Sequence, residues 1–157
     1  MSDERICYTY ESALEAAIAM EEEGFRNYLR ALRTVQQKGA KEILRENALD
    51  ELSHKQQLEK ALVEGHMADG GEISRTIPTM NLSYVLKKAD LRPESTVREA
   101  LLYAIQLEKE AAEFYRKAGE GCSGAPMAAL FERLHREESS HLQRLEDLYE
   151  AHFMTEN

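Results

Sequence analysis

Glu51-Leu52-Ser53-His54 returns 87 residues further along as Glu138-Ser139-Ser140-His141, and this recurrence organises the whole chain. The same offset sets Glu21 against Glu108, Leu14 against Leu101, Ala17 against Ala104, Ile18 against Ile105, Tyr28 against Tyr115 and Leu58 against Leu145. Each half therefore holds one glutamate and, 30 residues later, a Glu-x-x-His. Polar positions repeat together with apolar ones, so the two halves read as copies of one helical hairpin.

Around these motifs, four segments carry apolar residues at the three-to-four spacing of a buried helix face, and almost all Gly and Pro fall between them. The breaks predict helices over residues 12–36 and 40–64, with Gly39 in the turn and Gly65 as the stop. Thr96, with Glu99 three residues on, has the form of a capping box opening a third helix, which fades near Gly119. Pro126 suits the first turn of a fourth helix reaching residue 152. Residues 65–95 form a long crossover with room for a short helix over 82–88. The expectation is an all-α chain, a single domain over 1–157. Two antiparallel helix pairs, 12–64 and 96–152, joined by one long link resemble the connections of a ferritin-like four-helix bundle.

Composition narrows the partners. With 157 residues, the chain is large enough to bury about two-thirds of its unfolded surface around one core. A formal charge of -9 opposes contact with phosphate backbones and anionic lipid surfaces, so neither nucleic acid nor membrane is expected. No apolar stretch in the sequence is long enough to span a bilayer, and Met1 to Glu11 lack the basic start and apolar run of a signal peptide. Cys7 and Cys122 form no Cys-x-x-Cys pair and read as reduced thiols, which together with the polar start points to the cytoplasm.

Chance alone gives about one acidic-x-x-His spacing in a chain with 29 acidic residues and 5 His, so a single such pair carries little weight. Two pairs with matched upstream glutamates are another matter. Residues three apart on a helix face the same way, so Glu51 with His54, and Glu138 with His141, each make a two-toothed clamp for one metal. The turn of each hairpin, near 37–38 and near Cys122, lies midway between the lone glutamate and the clamp, which sets Glu21 and Glu108 at clamp height. Leu44, Leu58, Phe131 and Leu145 stand seven residues from the clamp glutamates, so the clamps lie on the core-facing stripes. Four buried carboxylates without partners would cost several kcal/mol each, and two divalent cations cancel their charge. Carboxylates with one imidazole per metal suit iron or manganese, or a mixed pair, better than zinc.

Glu21 to Tyr28, Glu-Glu-Glu-Gly-Phe-Arg-Asn-Tyr, and Glu108 to Tyr115, Glu-Lys-Glu-Ala-Ala-Glu-Phe-Tyr, each followed by its Glu-x-x-His, resemble the rubrerythrin branch of the ferritin-like superfamily over nearly the whole chain. The resemblance implies two iron ions held by Glu21, Glu51, His54, Glu108, Glu138 and His141, and catalysis at those residues: reduction of hydrogen peroxide or dioxygen by the diferrous form. Ala111 stands where rubrerythrins proper carry a further glutamate, and six ligands bring the site closer to the symmetric ferroxidase centres of bacterioferritins. A ferroxidase or iron-handling role is therefore the alternative. The 157 residues hold no paired Cys-x-x-Cys of a rubredoxin domain, so a separate electron donor such as rubredoxin is expected. Cage-forming relatives carry a further helix after the bundle, whereas few residues follow His152 here, so a homodimer is expected.

Asp50 and Glu137 precede the clamp glutamates and are placed to hydrogen-bond the imidazole of the opposite clamp. Tyr28 and Tyr115 read first as core, with ligand bonding or redox relay as a second role. Gly24 and Ala111 leave space one turn from Glu21 and Glu108. His66, His135 and His152 read as surface residues. Gly119 to Gly124 spells Gly-x-Gly-x-x-Gly but joins two helices instead of following a strand, so no nucleotide is expected.

Overall fold

The structure, a computed structural model, describes residues 9–65, 90–122 and 127–154. Helix α1 spans Tyr10–Thr34 and α2 spans Lys38–Glu64, with the turn at Val35 to Gln37. Helix α3 spans Val97–Gly121 and α4 spans Ala128–Tyr149, which runs on into a π-helical turn over Glu150–Met154. Among the described residues there are no strands, and the four helices form the expected ferritin-like four-helix bundle. The helix expected over 82–88 and Pro126 lie outside the described residues.

Local chemistry explains the ends. Thr96 and Glu99 form the capping box read from the sequence, each side chain bonded to the other's backbone N–H. Gly65 ends α2 at φ 84°, a left-handed conformation that favours glycine. The first helix starts two residues earlier than expected because Thr9 caps it: the Thr9 hydroxyl accepts from the Ser12 backbone N–H at 3.1 Å. Gly39 lies in the first turn of α2 instead of the turn before it. A Cβ there would stand 2.8 Å from Val97 Cγ2, so the glycine permits α2 to approach the start of α3.

Helix α1 packs on α2 and α3 on α4, with α2 also against α3. Gly24 faces Glu51 while Glu21 faces His54, the crossed order of an antiparallel pair. The Gln36 backbone N–H donates to Pro93 O at 3.0 Å and ties the α1–α2 turn to the segment leading into α3.

The interior is layered. One apolar cluster gathers Tyr28, Leu44, Leu101, Ile105, Leu142 and Tyr149; a second, at the other end, gathers Leu14, Leu58, Tyr115, Phe131 and Leu134. Between them along every helix lies one buried acid: Glu21, Glu51, Glu108 and Glu138. Each large apolar side chain contributes roughly 1.5–3 kcal/mol when fully buried, so the outer layers stabilise the bundle and the middle layer opposes it. Cys122, buried at the end of α3, is disulfide-bonded, which corrects its reading as a reduced thiol. Two isolated cysteines carry no spacing signal for pairing, and here they give no support for a reducing compartment. No described helix is long and apolar enough to cross a membrane.

Replacing Thr96 by Ala removes the capping box that starts α3. The expected loss is about 1 kcal/mol, a fall in melting temperature of about 2–4 °C for a chain of this size, measurable by calorimetry.

Candidate metal centre

Each of the four helices delivers its acid to the middle layer because each acid replaces an apolar residue on the core-facing stripe. Glu108 and Glu138 are wholly enclosed, and Glu21 and Glu51 nearly so. His54 and His141 project from α2 and α4 one turn after their clamp glutamates and stack with ring centroids 4.8 Å apart and planes 10° from parallel. His54 Nδ1 lies 3.4 Å from Glu138 Oε1 and 3.7 Å from Glu21 Oε2, and His141 Nδ1 lies 3.8 Å from Glu138 Oε2. Two donor atoms each about 2 Å from a shared first-row cation stand roughly 3–4 Å apart, so these separations match a coordination shell better than a set of hydrogen bonds.

Glu21, Glu51, His54 and Glu138 offer donor atoms within 4.8 Å of one another, as do His54, Glu138 and His141. Glu108 falls outside both groups, though its negative charge acts on Glu51 and Glu138. Five of the six residues expected from the sequence thus share these groups, and Glu108 is buried on the adjoining helix. Six of their atoms have no hydrogen-bond partner among the described residues: Glu21 Oε2, Glu108 Oε2, both oxygens of Glu138, and Nδ1 of His54 and His141. Unpartnered buried carboxylate and imidazole atoms facing one point are the donor set that divalent metal ions satisfy.

Two tyrosines complete the arrangement through exchanged bonds. Tyr28 Oη donates to Glu108 Oε1 at 3.0 Å and to Ala104 O at 3.2 Å. Tyr115 Oη donates to Glu21 Oε1 at 2.9 Å and to Ala17 O at 3.4 Å. The offset of 87 converts one set into the other, so the two halves are related by an approximate twofold through the centre. Both tyrosines are core residues and both also bond a glutamate of the centre. Each phenol occupies one carboxylate oxygen and leaves the other facing inward.

Electrostatics separates the carboxyls. Burial raises Glu21, but the close approach of Glu51, His54 and Glu138 outweighs it and brings the group down to about 2. Burial, then the negative charges of Glu108 and Glu21, push Glu51 well above the carboxylate range. Burial and Glu108 do the same to Glu138. Burial lowers His54, yet the Glu21 carboxylate more than offsets it and the imidazole ends above its ordinary value. Burial prevails at His141, which ends below. Without metal, protons on Glu51 and Glu138 relieve the crowded charge.

Other expectations need correction. Asp50 accepts from Arg144 at 3.1 Å and Glu137 from Arg133 at 3.1 Å, in place of the anticipated imidazole bonds; their charges still act on His141 and His54 of the opposite clamps. Arginine, with its fork of donors, competes well for an acid near the surface. The i,i+4 spacing of Arg133 and Glu137 was readable in sequence, whereas nothing local signals Arg144 with Asp50. His135 is half-buried with Nδ1 2.8 Å from Ala112 O, so it ties α4 to α3. His152 is exposed as expected, and His66 lies outside the described residues. The space beside Gly24 is taken by Glu51, whose Cδ would stand 3.3 Å from an added Cβ.

The Rubrerythrin family model matches residues 12–149. No curated protein and no solved structure gives a match.

Protonation sets a pH signature. Glu51, Glu138 and His54 hold protons more tightly folded than unfolded, so their contribution to stability is full below the unfolded values and is lost as pH rises through the folded ones. Glu21 works in the opposite sense, its contribution present above 4.5 and lost only as pH falls toward about 2. His141 also opposes the trend, gaining as pH rises. With two raised carboxyls dominating from about pH 5 to about pH 8, metal-stripped protein should melt at lower temperature at the higher pH. Added divalent metal should abolish or reverse that slope, because it requires the carboxylates charged. Calorimetry across this range checks both arms, and a metal-free melting temperature that rises with pH contradicts the assignment.

Proposed function

Because this chain belongs to the rubrerythrin family, we propose that it holds two iron ions in the acidic layer and uses them, in the diferrous state, to reduce hydrogen peroxide or dioxygen. The observation that carries the reading is the convergence of unpartnered buried donor atoms from all four helices. Glu138, with both oxygens unpartnered, and Glu51 would hold the ions together with His54 and His141. Glu21 and Glu108, each with one oxygen held by a tyrosine, would offer their remaining oxygens to the ions. When bound, two ferrous ions supply the two electrons that cleave the O–O bond of peroxide.

The protein's own part is to hold charge and exclude water. Apolar layers on both sides of the centre keep it dry, which strengthens every electrostatic interaction inside it. Tyr28 and Tyr115 keep their protons, since burial and the adjacent carboxylates raise both phenols well above their usual range. They therefore act as fixed hydrogen-bond donors that orient Glu108 and Glu21. Electrons for the next cycle come from a separate donor such as rubredoxin.

A ferroxidase or iron-handling role is the second reading, favoured by Ala111, a buried small residue at the position that would carry a seventh carboxylate. The two differ in the fate of the iron: a peroxidase retains it through repeated turnovers, and a handling protein releases it as ferric product.

Protein loaded anaerobically with ferrous iron should bind two ions per chain, and rapid mixing should show faster oxidation by peroxide than by dioxygen. Oxidation by dioxygen at an equal or greater rate, or loss of iron after one turnover, would favour the ferroxidase. Glu138→Gln should reduce the iron bound from two toward one per chain and abolish the fast phase. Metal analysis and stopped-flow absorbance read both effects.

A further inference from the structure

The twofold relation between the halves is broken next to the tyrosines. On one side, Tyr28 meets Tyr103 edge to face, with ring centroids 6.4 Å apart and planes at 81°, so the two phenol rings are in contact. On the other, Tyr115 meets Phe114 in a similar edge-to-face pair at 5.4 Å. The offset of 87 places Ala16 opposite Tyr103 and Asn27 opposite Phe114, so neither neighbour is inherited from the repeat. Tyr103 is half-buried on α3, among Arg30, Asp90 and Glu110, and its hydroxyl donates to Asn27 O at 3.5 Å. A continuous line of oxidisable rings therefore runs from the surface, through Tyr103 and Tyr28, to Glu108. The corresponding line on the other side ends at a phenyl ring.

We propose that Tyr103 and Tyr28 form a two-step path for single electrons between the bundle surface and the Glu108 side of the metal centre. Phenol oxidation removes an electron and a proton together, so each ring on such a path needs a proton acceptor within hydrogen-bond reach. Tyr28 has one in Glu108 Oε1, at 3.0 Å. Tyr103, partly open to solvent, has water. On giving an electron toward the centre, Tyr28 would pass its proton to Glu108 Oε1 and become a neutral phenoxyl. Tyr103 then gives its electron to Tyr28, which recovers its proton from Glu108, while the Tyr103 proton passes to water. A one-electron donor at the surface, a thiol or a reduced electron-transfer protein, returns an electron and a proton to Tyr103. The balance is one electron delivered from the surface donor to the centre and one proton passed from that donor to water. The path depends on the proposed two-iron reaction only for the source of the oxidising equivalent; the ring geometry is independent of it.

The test uses the full chain free of redox-active metal, with 3,5-difluorotyrosine at position 28 or at position 115 and a photo-generated one-electron oxidant in solution. The fluorine-split radical signal in electron paramagnetic resonance identifies the oxidised ring. A label at position 28 should give the signal, and Tyr103→Phe should abolish it. A label at 115, equally buried and equally bonded to a glutamate, should stay at background. Tyr103→Phe keeps the ring contact and removes one long hydrogen bond, so its melting temperature should match the parent. Undiminished oxidation at position 28 after Tyr103→Phe, or oxidation at 115 equal to that at 28, would overturn the path. In a second arm, iron-loaded protein receives peroxide without reductant and a spin trap is located by mass spectrometry, with the adduct expected on Tyr103. Light-driven transfer without any peroxide-driven adduct would uphold the path and count against the proposed peroxide reaction.

Discussion

Four carboxylates enclosed at one level of an apolar bundle impose the constraint on which everything else in this molecule depends. Like charges at these separations cannot all remain ionised in a low-dielectric interior. The chain answers in part by itself. Two phenols each satisfy one oxygen, and Glu51 and Glu138 are driven toward their protonated forms while Glu21 stays charged. Six donor atoms are still left without partners. An apolar layer of the same volume would be more stable than this one, so the acidic layer is retained for what it binds.

The layering also explains how a destabilising centre persists in a folded chain. Leu14, Leu58, Phe131 and Leu134 at one end, with Leu44, Leu101, Ile105 and Leu142 at the other, close the bundle on both sides of the acids. The helices are therefore positioned by packing that does not depend on the centre, and the ligands are held in place before any cation arrives. Such preorganisation concentrates the energetic penalty in the protein's folding instead of in the binding step. It also separates the two imidazoles: His54, facing Glu21 and Glu138, is biased toward its charged form, and His141 toward the neutral form that ligates directly.

Sequence periodicity made the bundle and the level of its buried acids legible because both depend on spacing along single helices. Glu51 with His54 and Glu138 with His141 are one helical turn apart, and the hairpin turns fix the height of Glu21 and Glu108; no long-range information is needed. Capping at Thr96 is equally local. What spacing does not contain is which side chains meet across the bundle. The bonds from Tyr28 to Glu108 and from Tyr115 to Glu21 link residues 80 and 94 positions apart, so the tyrosines read first as core and their partners were not specified. Asp50 was placed near the right imidazole but given the wrong partner, since Arg144 lies 94 positions away. The disulfide at Cys122 was illegible for the same reason: pairing follows from where chain segments meet in space.

A repeated half constrains its two copies unequally. Positions that touch the centre must satisfy the same charge on both sides, and there the repeat is kept: Glu21 and Glu108, Glu51 and Glu138, His54 and His141, Tyr28 and Tyr115. One shell further out the demand is only for volume, and there the halves diverge, with Gly24 against Ala111, Ala16 against Tyr103 and Asn27 against Phe114. Divergence in this shell changes the surroundings of each half without changing the ligands. Gly24 gives the Glu51 carboxylate a neighbour with no side chain, whereas Ala111 adds a methyl group one turn from Glu108. Tyr103 adds a second phenol on the side of Glu108, and Phe114 gives the side of Glu21 a ring that does not readily surrender an electron. A cluster symmetric in its acids and imidazoles is thus set in an asymmetric surround.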